Sequence, residues 1–324
     1  MRARGGIDLG GTKIQAVVVD GRNQVRGQAR HPTPQKGGPP DVATAIAEAL
    51  REAAAAAGTS SDQLIGIGVG SPGEVRPREG VVEQARNLSD WHDAYPLGPA
   101  LAHELGTPVR LGNDVDVAVA AEFRLGAGKP YDSMLGVWWG TGVGGGVILD
   151  GRQWDGRGTA GEIGHMVVKL GGRRCPCGRR GCMEAYAGRA AMEARARKLV
   201  SEGRKTKLFK IMEERGRDRL TSGVWERALR KGDKLTSELI AEPVAALGAG
   251  VASACNLLDV EAVIVGGGLG TRFGSEYAER IREAMLPHLF VDNDPPAVHV
   301  AALGDLGGAI GAALLVLDSS RSRG

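Results

Sequence analysis

The 324-residue sequence predicts an α/β fold with duplicated α/β domains, and three observations carry that expectation. Short β-branched runs that end in glycine alternate with segments of helical pattern, which favours sheets covered by helices. The chain holds 51 glycines and only 4% aromatic residues, so tight turns and close backbone approaches are expected throughout. Residues 7 to 21, IDLGGTKIQAVVVDG, align without gaps on residues 137 to 151, VWWGTGVGGGVILDG, at a constant offset of 130. Gly10, Val17, Asp20 and Gly21 recur as Gly140, Val147, Asp150 and Gly151. Both copies read strand, glycine turn, strand. Two hairpins that merely share turn chemistry would echo in the same way.

The elements follow in order. GGIDLGGTKIQAVVVDGRNQVRGQAR reads as consecutive antiparallel strands, and Pro32 to Pro40 as a loop. Asp41 is expected to cap an Ala-rich helix that Gly58 stops. LIGIGVGSPG reads as a buried strand entering a turn, and PVRLGND as a short strand meeting the helix VDVAVAAEF. Beyond the second glycine hairpin, residues 184 to 257 are largely helical by pattern, and stretches such as KTKLFKIMEERGRDR read as solvated faces. AVIVGGGLG, at 262 to 270, is a strand and glycine turn before a helix expected from about Ser275. LGDLGGAIGAALLVL reads as a turn and a small-residue helix suited to close packing.

Composition narrows the classes. The length exceeds one ordinary core and predicts two domains, and 42% hydrophobic residues can fill them. A formal charge of +3, from 41 basic and 38 acidic residues spread along the chain, gives no basic arm for nucleic acid. MRARGGIDLGG lacks an apolar signal core, and no apolar run reaches the ~18 residues that would span a membrane. A cytoplasmic protein is expected, where clustered cysteines bind metal more often than they pair.

Three glycine turns after strands free backbone N–H groups for a polyanion. The first carries Gly10, Gly11, Thr12 and Lys13, the second Thr141 and Gly142, and the third Gly266, Gly267 and Gly268. None matches the Walker pattern or completes the dinucleotide fingerprint, so a nucleotide phosphate site is the better reading, against turns that serve only the chain path. Asp8 precedes the first turn, while the second copy has Trp138 there. A carboxylate in one copy only suits a magnesium ion bridging nucleotide phosphates, although a strand-end Asp can also bond its own turn.

DLGGTK, GTGVGGG, GEIGHM with CPCGRRGC, and VIVGGGL resemble in order and spacing the motifs of the ROK family, the sugar kinases and related repressors of the actin-like ATPase superfamily. The resemblance implies a two-lobed actin-like ATPase (ribonuclease H-like) fold with an interlobe cleft. One lobe would comprise residues 1–112 with 304–324, and the other, carrying the zinc site, residues 113–303. It implies an ATP-dependent hexose kinase, glucokinase-like, using ATP and Mg2+, and a homodimer or homotetramer. Kinases for fructose, allose, N-acetylmannosamine and N-acetylglucosamine share the frame, and some relatives use polyphosphate but usually lack the cysteine run.

Cys175, Cys177 and Cys182 form C-x-C-x4-C, with His165 ten residues upstream. Three sulfurs and one imidazole complete a tetrahedral shell with no open position, so a structural zinc is expected in preference to a disulfide. Cys255 reads as a small core residue. A metal on one imidazole nitrogen aims the other at a defined point, where His165 could meet a sugar hydroxyl beside Glu162 and Glu184. By resemblance, Glu162, His165 and Glu184 contact the hexose. Asp114, at a strand-to-helix junction, reads locally as either a helix cap or a base. The resemblance makes Asn113 a sugar contact and Asp114 the base for the 6-hydroxyl. Asp116 stands where many family members have Asn, and a second carboxylate would raise the Asp114 pKa while the helix N-terminus opposes that. Residues 71 to 91 resemble the loop over the sugar, with Gly73, Glu74 and Asn87 as contacts, or else form a surface hairpin. Other classes remain in view. A sugar-responsive repressor would need a DNA-binding module ahead of Asp8, where the sequence leaves no room. A non-catalytic sugar-sensing regulator would not need the glycine turns, Asp8 and Asp114.

Overall fold

The structure, a computed structural model, describes residues 3–318. In chain order the elements are β1 (Arg4–Leu9), β2 (Lys13–Val19), β3 (Val25–Pro32), α1 (Gly38–Ala56), β4 (Ile67–Ser71), β5 (Glu74–Arg76), β6 (Val81–Glu83), α2 (Leu97–Leu105), β7 (Val109–Asn113) and α3 (Asp114–Leu125). They continue with β8 (Met134–Trp139), β9 (Val143–Leu149), β10 (Arg152–Gln153), α4 (Glu184–Ala187), α5 (Arg189–Ser201), α6 (Leu208–Glu214), α7 (Ser222–Arg230) and α8 (Lys234–Leu258). The chain ends in β11 (Ala262–Gly266), α9 (Gly267–Met285), β12 (Ala297–Val300) and α10 (Gly307–Asp318).

The chain divides into two compact units, one running to Gly126 and resuming at Leu303, the other Ala127–Ala302. This corrects the expected boundary after residue 112, because α3 belongs to the first unit. Its partner there is α10: Gly311 lacks the Cβ that would land on the carbonyl oxygen of Val117. Buried Glu122 also receives the Leu303 N–H at 2.8 Å, which fixes where the chain re-enters.

The first unit's sheet has the order β3-β2-β1-β4-β7, and the second unit's has β10-β9-β8-β11-β12. In each, an antiparallel hairpin edge joins three parallel strands, so the topology is duplicated. The ungapped residue correspondence, however, stops at the turn. Leu9 pairs with Ile14 across four turn residues, whereas Trp139 pairs with Val143 across three. Val147 is therefore the counterpart of Val18 rather than Val17, since a one-residue slip sends a side chain to the opposite sheet face. Val17 indeed packs with Ala309 and Ala313 on α10, while Val18 joins Ile7 and Ile46 on the other side.

In the first unit α1 covers one face of the sheet and α10 the other. α10 approaches closely because Gly6 and Gly68 lack side chains: a Cβ on either would strike the carbonyl oxygen of Ala309 or Ala312. α1 begins at Gly38, earlier than expected, with its prolines in the first turn. Gly37 occupies the N-cap, so Asp41 lies within the first turn instead of capping it. Gly58, at φ +72°, follows the helix end as expected.

The second unit's core lies between its sheet and the helices, with Trp139 and Trp225 fully buried. α9 starts at Gly267, eight residues before the expected Ser275, and breaks at Gly274, which takes φ +67°. By length and composition alone α8 is apolar enough to cross a membrane, although Glu238 and Glu242 interrupt its apolar run. It is apolar because its side chains, including Leu239, Leu247 and Val251, fill the unit's core.

Candidate active site

In the first unit the expected site residues gather at the C-terminal edge of the parallel strands, where open α/β sheets bind ligands. Asp8 pairs with Gly70, and Ser71 with Asn113, so β1, β4 and β7 bring these positions into one row. Asp8 rests against the start of α10, where a Cβ on Gly308 would lie 2.8 Å from its carboxyl carbon. Burial raises the Asp8 pKa, Lys13 opposes this, and Asp305 adds to it. Lys13 Nζ is 4.0 Å from Asp305, a residue the sequence did not single out.

The Gly10–Lys13 turn closes with Gly10 N–H donating to the Lys13 carbonyl at 2.9 Å. It is braced by the chain after β3, where Thr33 Oγ1 donates to Gly10 O at 2.6 Å and Gln35 Nε2 to Gly11 O at 3.2 Å. These braces arise from residues about twenty positions away, and nothing local announces them. Gly11 is required because the Asn87 carbonyl oxygen lies 2.6 Å from where its Cβ would stand. That contact brings the 71–91 segment against the turn.

The segment is a hairpin of β5 and β6, with Gly73 at φ +89° where the chain folds back on Glu83 and Ala85. Glu74 is exposed and pairs across the ladder with Glu83, whose charge is met by Arg76 at 2.6 Å. Asn113, not Asp114, caps α3: its Oδ1 accepts from Val115 N at 2.9 Å and Asp116 N at 3.2 Å. Its NH2 is then the group it can present to a ligand. Asp114 and Asp116 both occupy the first turn, where the helix N-terminus favours negative charge.

In the second unit, Thr141 and Gly142 follow β8, and Gly266 caps α9 beyond the neighbouring strand β11. Gly267, at φ +78°, packs 2.7 Å from the Trp139 carbonyl oxygen by its Cβ position, and Gly140 lies against Gly268. A glycine bed at a helix N-terminus, open to backbone approach, suits phosphate. Glu184 underlies it, accepting the Val143 N–H at 2.9 Å on Oε2, while its Oε1 is 3.9 Å from Cys175 Sγ. The carboxylate expected to face a sugar thus also ties the turn to the cysteine cluster.

Ligand atoms of His165, Cys175, Cys177 and Cys182 lie within 4.8 Å of one another. Cys177 and Cys182 sulfurs are 3.7 Å apart, and Cys175 Sγ is 3.8 Å from His165 Nδ1. All four cysteines of the chain are free thiols. A tetrahedron with Zn–S of about 2.3 Å has edges of about 3.8 Å, so this donor set fits zinc. The Arg179 backbone N–H pulls Cys177 down to about 7, while burial pushes Cys175 up to about 12. With Nδ1 facing the sulfurs, His165 Nε2 lies 3.9 Å from Glu162 Oε2. Cys255 is buried in the core, and burial raises its thiol to about 12.

Comparisons with known proteins agree with this frame. A glucokinase from Halalkalibacterium halodurans is 31% identical over 323 residues, covering 98% of this chain and 96% of that protein. The crystal structure of a ROK hexokinase from Thermus thermophilus is similar at a TM-score of 0.78 with 34% identity, covering 99% of each chain. A ROK family glucokinase from Streptomyces griseus, in complex with glucose and AMPPNP, superposes at a TM-score of 0.83 with 31% identity over 98% of this chain and 99% of that one. The ROK family model matches residues 4–319, and with such relatives spanning nearly their whole lengths, the chain belongs to the ROK family.

Proposed function

We propose that the protein is an ATP-dependent hexokinase, with glucose as acceptor and glucose 6-phosphate and ADP as products. The observation that carries this reading is the row formed by Asp8, Gly70, Ser71 and Asn113 at one sheet edge, with Asp114 next in the chain and the Gly10–Lys13 turn beside it. The relative bound to glucose and AMPPNP supports it independently.

Asp114 accepts the proton of the 6-hydroxyl, raising the nucleophilicity of that oxygen toward the γ-phosphorus. Asn113 orients the sugar through its NH2, and Gly73, Glu74 and Asn87 border the acceptor. Glu162, His165 and Glu184 accept from or donate to sugar hydroxyls. The glycine turns, Gly10–Lys13 in the first unit and Thr141–Gly142 with Gly266–Gly268 in the second, each offer backbone N–H groups suited to donor phosphates. Asp8 would hold Mg2+, which supplies charge neutralisation on the phosphates when bound. Its desolvated carboxylate suits that task, because a nearby cation offsets the cost of keeping it ionised. Zinc at His165 and the three cysteines would fix the imidazole, so that Nε2 keeps one direction.

The deciding experiment is ADP release with Mg-ATP across glucose, mannose, fructose, allose, N-acetylglucosamine and N-acetylmannosamine, with Asp114→Asn alongside. Glucose should be strongly preferred, and the variant should lose at least about a hundredfold in kcat, the usual worth of a general base, while still binding sugar. Turnover in the variant within about tenfold of wild type would remove Asp114 from the role.

A further inference from the structure

We propose that Arg189 is a positioning residue for the phosphoryl donor: it aims the Thr141 hydroxyl at the donor's phosphoric anhydride chain and adds a cation behind it. The inference rests on the reading that the Thr141–Gly142 turn holds donor phosphates.

Arg189 opens α5 immediately after Gly188. Its Nη2 donates to Thr141 Oγ1 at 2.7 Å and its Nη1 to the Leu220 carbonyl at 3.1 Å. Its own backbone N–H donates to Gly140 O at 3.1 Å, and that of Ala190 to Thr141 O at 3.2 Å. The start of α5 therefore grips the turn by both carbonyls and by the one side chain that could face a ligand.

A hydroxyl has one proton to give and two lone pairs. When a guanidinium occupies a lone pair, the O–H is polarised and directed away from the cation. The group best suited to receive such a proton is an anion. Thr141 is exposed, so its hydroxyl is accessible to one.

The charge around Arg189 points the same way. No carboxylate lies within salt-bridge distance of it among the described residues. The nearby Glu193 is committed to Arg197 at 2.6 Å and to Leu220 N–H at 2.9 Å. Burial weighs against the guanidinium's charge, Glu193 supports it, and Arg219 adds a second positive charge nearby. A half-buried cation without its own carboxylate is completed by an anionic ligand. Leu220 extends the link further, because Ser222, two residues on, lies 3.5 Å by its Oγ from the Cβ position of Gly268. One guanidinium thus ties the Thr141 turn to the segment that abuts the third glycine turn.

The test measures KM for Mg-ATP, KM for glucose and Tm in wild type, Arg189→Ala, Arg189→Lys, Thr141→Val and the double variant Arg189→Ala/Thr141→Val. Arg189→Ala should raise KM for ATP about tenfold, the loss of one charge-assisted hydrogen bond, and leave KM for glucose within about twofold. Arg189→Lys should recover part of the loss, and the double variant should be no worse than the weaker-binding single variant, as expected of residues acting as one unit. A folded Arg189→Ala with unchanged KM for ATP overturns the proposal, as does a parallel rise in both KM values with a fallen Tm. Additive effects in the double variant also overturn it. Wild type that binds no Mg-ATP by calorimetry would instead overturn the nucleotide reading itself, which separates the two failures.

Discussion

Glu184 illustrates how one residue's partners divide its work. One carboxylate oxygen is committed to the Val143 N–H below the second glycine turn, and the other lies near Cys175. Gly142 has no side chain because a Cβ there would occupy the position of Oε2. Glu184→Gln keeps an acceptor for Val143 but loses the charge, whereas Glu184→Ala loses both. We expect Glu184→Ala to raise KM for both ATP and glucose, and Glu184→Gln to raise chiefly KM for glucose. Steady-state kinetics on the two variants check this, and identical profiles would remove the strut role. Arg189 and Glu184 thus hold the same turn from different helices, α5 and α4.

At the scale of the element, α8 depends on Asp233, which is buried at its N-cap. Burial disfavours the charged carboxyl, but hydrogen bonds from Lys207 N–H, Thr236 N–H and hydroxyl, and the Thr206 hydroxyl outweigh it and hold the pKa below its ordinary value. A depressed folded pKa adds stability above the unfolded value of about 3.9, and that stability is lost as pH falls through the lower folded value. Asp233→Ala should therefore cost about 1–3 kcal/mol at pH 7. The gap in denaturant midpoint between it and wild type should narrow below about pH 4. An unchanged gap at pH 3 would contradict the charge argument.

The 165–182 segment has a different kind of support. Leu170 and Val167 are exposed, and its buried apolar part is a small cluster in which Cys175 and Cys182 pack with Ala185, Tyr186 and Ala246, so the cysteines sit at the centre of its closure. Cys177→Ser, or chelation, should lower Tm by several degrees, given that about 1 kcal/mol shifts a domain of this size by about 2–4 °C. Glucose affinity should fall with it, because His165 loses its anchor. Fully active protein without zinc by elemental analysis would refute the assignment.

For the whole molecule, the discontinuity of the first unit has a physical cost. Residues up to Gly126 provide the sheet, but one of its faces is covered by α10, contributed from the far end of the chain. The second unit, Ala127–Ala302, is continuous and has its own core. A fragment of residues 127–302 should therefore fold with a cooperative thermal transition by circular dichroism. A fragment of residues 1–126 should not, and should recover one only when α10 is appended. A cooperative melt of residues 1–126 alone would contradict this account.

Much of the plan was legible in one dimension. The glycine turns, the C-x-C-x4-C spacing, the helical stretch from 184 to 257 and the strand-turn-strand echo are local, and local chemistry reads directly from sequence. The structure repeats the echo as two sheets of one topology. What local chemistry could not supply was register: the second hairpin turns in three residues instead of four, so Val147 answers to Val18. Nor could it show that Asn113 is the cap that leaves Asp114 in the first turn of α3. Glu122, Thr33, Asp305 and Arg189 acquire their roles from partners far along the chain, and their neighbours in sequence carry no trace of them. The sequence by itself determined the family, the turns and the donor set for a metal, because each is a short-range pattern of residue types. The tertiary structure alone decided where α3 belongs and which side chains brace each turn, because those depend on long-range packing and on where buried hydrogen bonds find their partners.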